Sequence, residues 1–468
     1  MNKFILNYLG LFFALLSVLS FFNIVYSYYF NLYLNINTYL YTFLISIIIG
    51  LISFFYKSFD SKITIYQKIF AVFIGYILLP IVIAIPFYLS IYNVSFLDCY
   101  FEAISGFTST GFTIFENIKH IDESLILWRS TSQWIGGIYF LFSILLLIDI
   151  FDNSLRKSLT NFINFNYSEI FKQFFKILIL YTALTFLIFI ILKLINLRTF
   201  DSFNLSMTII SSGGFLPVNS IDNIINTNLK EIGMSFLMLF SFFSLYLIYN
   251  IIFLKNKSLN FFAEDIYLFI YFIILIIIFF VLFNFNYNFS SILFSLTSSM
   301  SNIGISLKDT PSNLWLLYLI IVIIGGSFFS TSSGLRLLKI YFLFRHSINE
   351  ILSYSKPNNV YTNKFHLIES NVEQKDINKY FLSVLIFIIS LFLITLLFTI
   401  FNINFDEAFK LGILTLMNTV NSSMYDLSNF NFIDLNAQSK LVMIVFMIIG
   451  RVELLTLLII AKKFLFKN

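Results

Sequence analysis

Long apolar runs, separated by short polar segments, follow one another along almost the whole chain. A run of about 20 apolar residues is long enough to cross a hydrocarbon core about 30 Å thick. Ten runs reach that length, so the pattern predicts ten membrane spans with both chain ends on the same side. They cover residues 4–30, 36–56, 64–92, 124–150, 169–195, 230–254, 264–283, 313–345, 377–402 and 437–466.

In each of the last four pairs of spans, the connection between the two spans begins with a shorter apolar stretch. Thirteen helical residues cover only about 20 Å, so each stretch can enter the membrane and turn back but cannot cross it. We therefore predict four copies of a span, a half-helix, a loop and a second span. The half-helices are expected at 96–108, 200–212, 289–302 and 405–419.

The half-helices share signals at both ends, and such internal repetition is strong evidence of architecture. Three of them carry an acid that favours a helix start, namely Asp98, Asp201 and Asp406. Three end in small polar residues followed by glycine, and the spacing from the acid to the glycine is the same in the first two. The three loops read Ser109-Thr110-Gly111-Phe112, Ser212-Gly213-Gly214-Phe215 and Asn302-Ile303-Gly304-Ile305.

Non-helical backbone at membrane depth exposes carbonyl groups that lipid cannot satisfy, so it survives only inside protein or along a watery path. Four such loops around one axis would offer rings of carbonyl oxygens that replace the hydration shell of a cation. A single glycine flanked by serine or threonine is more often a helix-packing site. Its recurrence after the same kind of non-spanning segment favours an ion filter here.

The composition agrees with a membrane protein: 59% of the residues are hydrophobic and 11% are charged, whereas soluble domains carry about 25% charged residues. Three histidines and one cysteine provide no metal cluster, disulfide framework or Cys/His nucleophile pair. We therefore expect neither an enzyme nor a bound cofactor, and no nucleic-acid partner. Lysine and arginine outnumber aspartate and glutamate in the segments on the same side of the membrane as the chain ends. Since positive residues favour the cytoplasmic side, we predict a multi-pass protein of the cytoplasmic (inner) membrane with both termini cytoplasmic.

Three further motifs accompany the loops. They are Arg129-Ser130-Thr131-Ser132-Gln133-Trp134-Ile135-Gly136-Gly137, the Gly- and Ser-rich stretch 325–334, and Gly450-Arg451-Val452-Glu453-Leu454-Leu455-Thr456. In this order, and with the loops, they resemble the Trk/Ktr/HKT superfamily of potassium transporters, most closely its Trk-type (TrkH-like) membrane subunits. The resemblance covers residues from about 64 to the C-terminus.

The resemblance implies an all-α polytopic membrane protein with four pseudo-symmetric M1–pore helix–M2 repeats around one ion path, preceded by a two-helix hairpin. The expected division is 1–60 for the hairpin and 61–160, 161–258, 259–372 and 373–468 for the repeats. Potassium is the implied transported ion. The expected potassium filter comprises Thr108, Ser109, Thr110, Gly111, Phe112, Ser212, Gly213, Gly214, Phe215, Asn302, Ile303, Gly304, Ile305, Asn418, Thr419, Val420 and Asn421.

The resemblance also implies a gate below the filter. Its expected residues are Gly325, Gly326, Ser330, Thr331, Ser332, Ser333, Gly334 and Arg451. Two simpler interpretations stay open, since a polar break can be a helix kink whose hydroxyl groups cap freed backbone groups. An arginine within a span can likewise be a structural partner of a carboxylate such as Glu453.

The fourth loop departs from the pattern because no glycine lies between Gly412 and Gly450. We expect Asn421 to take the left-handed turn there, since asparagine tolerates that conformation. The retained Gly111 favours potassium within the family pattern, and a channel permeable to both sodium and potassium stays an alternative.

A Na⁺- or H⁺-coupled symporter with broken helices is a second alternative, although Glu453 is the only acid expected deep within a span. A membrane enzyme would need a base at that depth, and His120, His346 and His366 are all expected in loops. The resemblance further implies a homodimer on a cytoplasmic nucleotide-binding (TrkA-like) regulatory subunit. One interpretation makes the loop 346–379 a docking surface together with its basic neighbours Arg336, Lys339 and Arg345, and the other makes it a plain solvated loop.

Overall fold

The computed structural model describes residues 3–55, 64–147, 170–245, 263–282, 288–308, 310–355, 374–428 and 430–452. Regular structure within these ranges is entirely helical. The α-helices are α1 (Lys3–Tyr29), α2 (Ile36–Phe55), α3 (Ile65–Tyr88), α4 (Phe96–Phe107), α5 (Glu123–Leu146), α6 (Ile170–Leu194), α7 (Thr199–Ile210), α8 (Asn228–Phe242), α9 (Ala263–Leu282), α10 (Phe289–Met300), α11 (Trp315–Ile324), α12 (Leu337–Ser355), α13 (Gln374–Ile400), α14 (Phe405–Leu416) and α15 (Ala437–Val452).

The first two helices form an antiparallel hairpin that packs on α3 and α5. Gly10 of α1 faces Ser53 of α2 so closely that a Cβ at Gly10 would overlap the serine side chain. The Tyr8 hydroxyl lies 3.1 Å from the Ser143 hydroxyl of α5. Small residues and interhelical hydroxyl contacts therefore hold the hairpin, as expected where lipid competes with apolar side chains.

The four predicted half-helices are α4, α7, α10 and α14, each twelve residues long. At 1.5 Å per residue each covers about 18 Å, too little to cross the membrane. They end one to three residues earlier than predicted, because the last, mostly polar residues of the predicted stretches form the helix caps and the loops.

Each short helix packs in the same way. It contacts the long helix before it, the helix after it, and the helix that follows the preceding short helix: α15 for α4, α5 for α7, α8 for α10 and α11 for α14. Because α15 closes on α4, the packing is cyclic. The four helix–loop units therefore surround one axis in chain order.

Ten spans are predicted for the whole chain, and within its described residues six helices are long and apolar enough to cross a membrane: α1, α2, α3, α6, α9 and α13. The helix α5 is long but carries Arg129 and Gln133, and its side chains from Ser124 to Leu146 are buried in protein. It therefore needs less apolar surface than a helix that faces lipid. The predicted span 313–345 is interrupted between Ile324 and Leu337. The predicted spans 230–254 and 437–466 continue outside the described residues.

Candidate functional site

The four short helices end in the same backbone turn. The residue after each helix cap has a left-handed conformation, with φ of 58° at Ser109, Ser212 and Asn302 and 48° at Asn418. The next amide then donates back to the helix, as Thr419 N does to the Leu414 carbonyl at 3.0 Å. The prediction of this turn at Asn421 is wrong, because the helix end fixes its position and α14 ends at Leu416.

Two residues beyond this turn, the first three loops carry glycine and the fourth carries Val420. Gly111 has φ of 85° and Gly304 has φ of 79°, a region that side chains disfavour. A Cβ at Gly111 would lie 2.6 Å from Gly214 Cα, and one at Gly304 would lie 2.7 Å from the Val420 carbonyl oxygen. The glycines therefore let the backbones of neighbouring loops meet.

Side chains join three of the four pairs of neighbouring loops around the axis. The hydroxyl of Ser212 in loop 2 donates to the Ser301 carbonyl at the end of α10. The remaining links run from Asn302 Nδ2 to Thr419 Oγ1 (3.3 Å) and from Asn418 Nδ2 to Thr110 Oγ1 (3.0 Å). The structure thus brings the sequence-predicted filter residues of all four loops together at one place.

A closed ring of hydrogen bonds joins the four segments that lead from each loop to the next long helix. We call them the return segments. Its links are Ile118 N to Asn219 Oδ1 (2.7 Å), Lys308 N to Asp222 Oδ1 (3.0 Å), Ser306 Oγ with Ser423 Oγ (2.7 Å) and Asn431 Nδ2 to Glu116 Oε1 (3.5 Å). These segments enclose a cavity of about 470 Å³ whose lining includes Gly111, Gly214, Ile305 and Val420. A mouth shared by four loops is the geometry that an axial ion path requires.

A buried ion pair supports the first two loops. Arg129 Nε donates to Glu102 Oε1 at 2.8 Å, and these side chains are 1% and 0% exposed. The other Glu102 oxygen accepts from Ile114 N at 2.9 Å. The Arg129 guanidinium also lies 4.2 Å from the centroid of the Phe215 ring in loop 2. Glu102 was missed at the sequence level, since it lies in the short helix α4 and not in one of the predicted spans.

The rest of the Arg129–Gly137 motif also faces the loops. With its amide oxygen turned toward loop 2, Gln133 accepts from Phe215 N at 3.0 Å and from Gly214 N at 3.1 Å. A Cβ at Gly136 would overlap the Phe107 carbonyl oxygen, and one at Gly450 would overlap the corresponding Leu416 oxygen. The glycines of the 129–137 and 450–456 motifs therefore let α5 and α15 contact the ends of α4 and α14.

The predicted break separates α11 from α12. Gly325 and Gly334 have φ of 66° and 98° and meet at the base of the break, where a Cβ at Gly334 would lie 2.6 Å from Gly325 Cα. Leu335 N donates to the Ile323 carbonyl at 2.8 Å. The segment between the two glycines is therefore a closed loop and not a kink in a continuous helix.

This closed loop lies against the end of the second short helix. The Thr331 hydroxyl donates to the carbonyl of Ile210, the last residue of α7, at 2.7 Å. Arg336 Nη1 donates to the carbonyls of Ser327 and Ser332, both at 2.8 Å. The loop is buried and held from within by Arg336. The expectation that Arg336 and Lys339 belong to a docking surface is wrong, because their side chains are only 2% and 6% exposed.

Arg451 connects α15 to the closed loop. Its Nη1 donates to Ser333 Oγ at 2.6 Å, and its guanidinium carbon lies 3.9 Å from the centroid of the Phe140 ring. The side chain is 2% exposed. Glu453, the carboxylate considered as its partner, lies outside the described residues. Arg451 thus bridges the first and fourth repeats and the break.

This geometry defines a polytopic membrane protein in which four re-entrant helix–loop units surround one axis. A family model described as TrkH, cation transport protein, matches residues 307–467. An uncharacterised cation transporter of Methanocaldococcus jannaschii is 24% identical over 408 residues, 82% of this chain and 80% of that protein. The Trk system potassium uptake protein TrkG of Escherichia coli is 24% identical over 418 residues, 84% of each.

The fold is similar to the crystal structure of the potassium transporter TrkH from Vibrio parahaemolyticus. The TM-score is 0.83, the sequence identity is 21%, and the match covers 98% of both chains. This likeness shows the fold. In sequence, the chain is similar to the family model over residues 307–467 and to the Trk relatives over most of its length, in agreement with the resemblance of its motifs.

Proposed function

We propose that this protein carries potassium into the cell through the four loops, which act as a selectivity filter. The observation that supports it most is the fourfold recurrence of one helix-end turn, at Ser109, Ser212, Asn302 and Asn418, around one axis. Backbone carbonyls in such loops can replace the hydration shell of a cation. Relatives named as potassium uptake proteins support potassium as the ion.

The proposal includes the orientation and assembly expected from the sequence. Both termini lie in the cytoplasm, the division into repeats follows 61–160, 161–258, 259–372 and 373–468, and the hairpin 1–60 stands outside them. The chain forms a homodimer that a TrkA-like nucleotide-binding subunit regulates. The docking loop 346–379 overlaps α12 and α13 at its ends, and its residues 356–373 lie outside the described part.

A pore is favoured over a symporter by the state of Glu102, the buried acid that supports the first two loops. Glu102 is held by Arg129, by Thr113 and by the Ile114 amide, so its carboxylate is already satisfied. A carboxylate that couples transport to a second ion must exchange partners during the cycle.

Transport is tested with purified protein in liposomes. We expect uptake of radioactive rubidium that follows an outward potassium gradient and that external K⁺ reduces more strongly than external Na⁺. Protein-free liposomes and heat-inactivated protein are the controls. Uptake no greater than in protein-free liposomes would contradict the proposal, and equal inhibition by Na⁺ would favour the alternative of a mixed sodium and potassium pathway.

The closed loop at 325–334 and Arg451 are proposed as the gate. Thr331 lies against the end of α7, and Arg451 holds the loop from α15. A buried cation next to a cation path raises the barrier to conduction by repulsion. Movement of the loop away from α7 and α15 would break both the Thr331–Ile210 and the Arg451–Ser333 hydrogen bonds.

Arg451→Ala is expected to increase rubidium uptake several-fold, because it removes both the positive charge and the contact that holds the closed loop. Uptake in liposomes is normalised to the amount of reconstituted protein. Arg198→Ala, at an exposed arginine before α7, is the matched control and should leave uptake unchanged. Unchanged or abolished uptake by a normally folded Arg451→Ala protein would show a purely structural role.

A further inference from the structure

The fourth loop differs from the other three in its hydrogen bonds as well as in its missing glycine. In loops 1 to 3 a hydroxyl four residues before the left-handed turn donates to a carbonyl beyond it. The pairs are Ser105 to Phe112 (2.7 Å), Thr208 to Phe215 (3.0 Å) and Ser298 to Ile305 (2.6 Å). Leu414 occupies the equivalent position in loop 4, so the Asn421 carbonyl lacks this tie.

A second hydroxyl is replaced at the end of the same helix. In loops 1 to 3 the helix-cap residue donates to the carbonyl four residues earlier: Thr108 to Ile104, Ser211 to Met207 and Ser301 to Thr297, each at 2.8 Å. Met417 stands at this position in loop 4. Loop 4 thus has apolar side chains at three positions spaced by three residues, Leu414, Met417 and Val420. The other loops have hydroxyls at the first two of these positions and glycine at the third.

Val420 fills the position that glycine occupies in the other loops, and its side chain reaches loop 2. A Cβ at Gly214 would lie 2.8 Å and 3.0 Å from the two methyl carbons of Val420. Because the loops surround the axis in chain order, loops 2 and 4 face each other across it. The isopropyl group therefore extends from one side of the filter to the other.

The valine is also accessible from the cavity. Its side chain is half-buried and belongs to the lining of the 470 Å³ mouth, together with Gly111 and Gly214. An ion that enters the mouth consequently meets an apolar group at the level of the glycines. Apolar constrictions oppose the passage of a hydrated ion and provide none of the oxygen ligands that would replace its water.

We infer that Val420 is a built-in constriction of the filter that limits the rate of ion passage. The inference rests on the proposed function, since it concerns the passage of ions along the same axis. It assigns to Val420 the role of setting the flux, a role that the three glycine loops do not have.

The test is a size series at one position, measured as rubidium uptake into liposomes that contain the purified full-length protein. The variants are Val420→Gly, Val420→Ala and Val420→Ile. Uptake is expected to rise several-fold in the order Ile, Val, Ala, Gly, because each lost methyl group widens the axis. The matched control is Val218→Ala, at a second valine that lines the same mouth but belongs to a return segment.

Folding is followed by the melting temperature of each purified variant, since glycine at this position could loosen loop 4. If Val420→Gly melts early, Val420→Ala and the combined variant Leu414→Ser/Val420→Gly replace it. The combined variant restores the hydroxyl that ties the loop in repeats 1 to 3, so it should be stable and at least as fast as Val420→Gly alone.

The outcomes separate the two claims. Uptake that rises as the side chain shrinks supports the constriction. Equal uptake across the folded series, or a maximum at valine, overturns it and leaves the proposed function in place. Absence of uptake by the natural sequence and by every variant overturns the proposed function and with it the constriction.

Discussion

Gly111→Ala is expected to abolish rubidium uptake. Gly111 has φ of 85°, where an L-residue costs about 1–2 kcal/mol, and its new Cβ would lie 2.6 Å from the Cα of Gly214. The atom in the way is backbone of the neighbouring loop, so relief requires one of the two loops to move. A displaced loop no longer aims its carbonyls at the axis, and the ion loses its ligands. Uptake into liposomes by the purified variant is the measurement.

Gly50→Ala is the matched control for that substitution. Gly50 lies within α2, and a Cβ there would meet Ala14 only at ordinary contact distances of 3.4 Å and more. Alanine also has the better helix propensity, so this variant should be as active as the natural sequence and at least as stable. Full uptake by a folded Gly111→Ala protein would show that loop 1 does not carry the ion.

Arg129→Ala is expected to produce the largest loss of stability. It leaves Glu102 as a fully buried carboxylate whose ion-pair partner is gone, a change that costs about 3–5 kcal/mol. It also removes the guanidinium that lies on Phe215 and so uncouples loops 1 and 2. We expect a strongly lowered melting temperature in detergent and little protein in the membrane.

The paired change Arg129→Met/Glu102→Gln separates the charge from the packing. It removes both buried charges while keeping side chains of similar length, so it should recover most of the melting temperature that Arg129→Ala loses. Arg198→Ala, at an exposed arginine, should leave the melting temperature unchanged. A natural melting temperature for Arg129→Ala would contradict a supporting role of the ion pair.

Length and pattern along the chain were enough to predict the half-helices and their loops. A stretch such as 289–302 is too short to span and too apolar for a surface loop, so its placement at membrane depth follows from the sequence alone. The sequence predicts the left-handed turn of loop 4 at Asn421, because asparagine tolerates that conformation and the loop has no glycine. Counting from the end of α14 places it at Asn418, the residue that corresponds to Ser109.

The contacts between repeats required the structure. Arg129 and Glu102 lie 27 positions apart and meet only because α5 packs on α4. Apolarity alone also does not tell whether a helix such as α5 faces lipid or protein. One signal was nevertheless present in the sequence. Aligning the four half-helices places Leu414 in line with Ser105, Thr208 and Ser298.

The central claim is that four loops of one chain hold a potassium ion between them. The most direct measurement is anomalous scattering from crystals of the full-length protein grown in Tl⁺, which substitutes for K⁺. We expect an anomalous peak on the axis among the backbone carbonyls of the four loops, and its loss when K⁺ replaces Tl⁺. Well-ordered loops without a peak between them, or a peak only at another place, would contradict it.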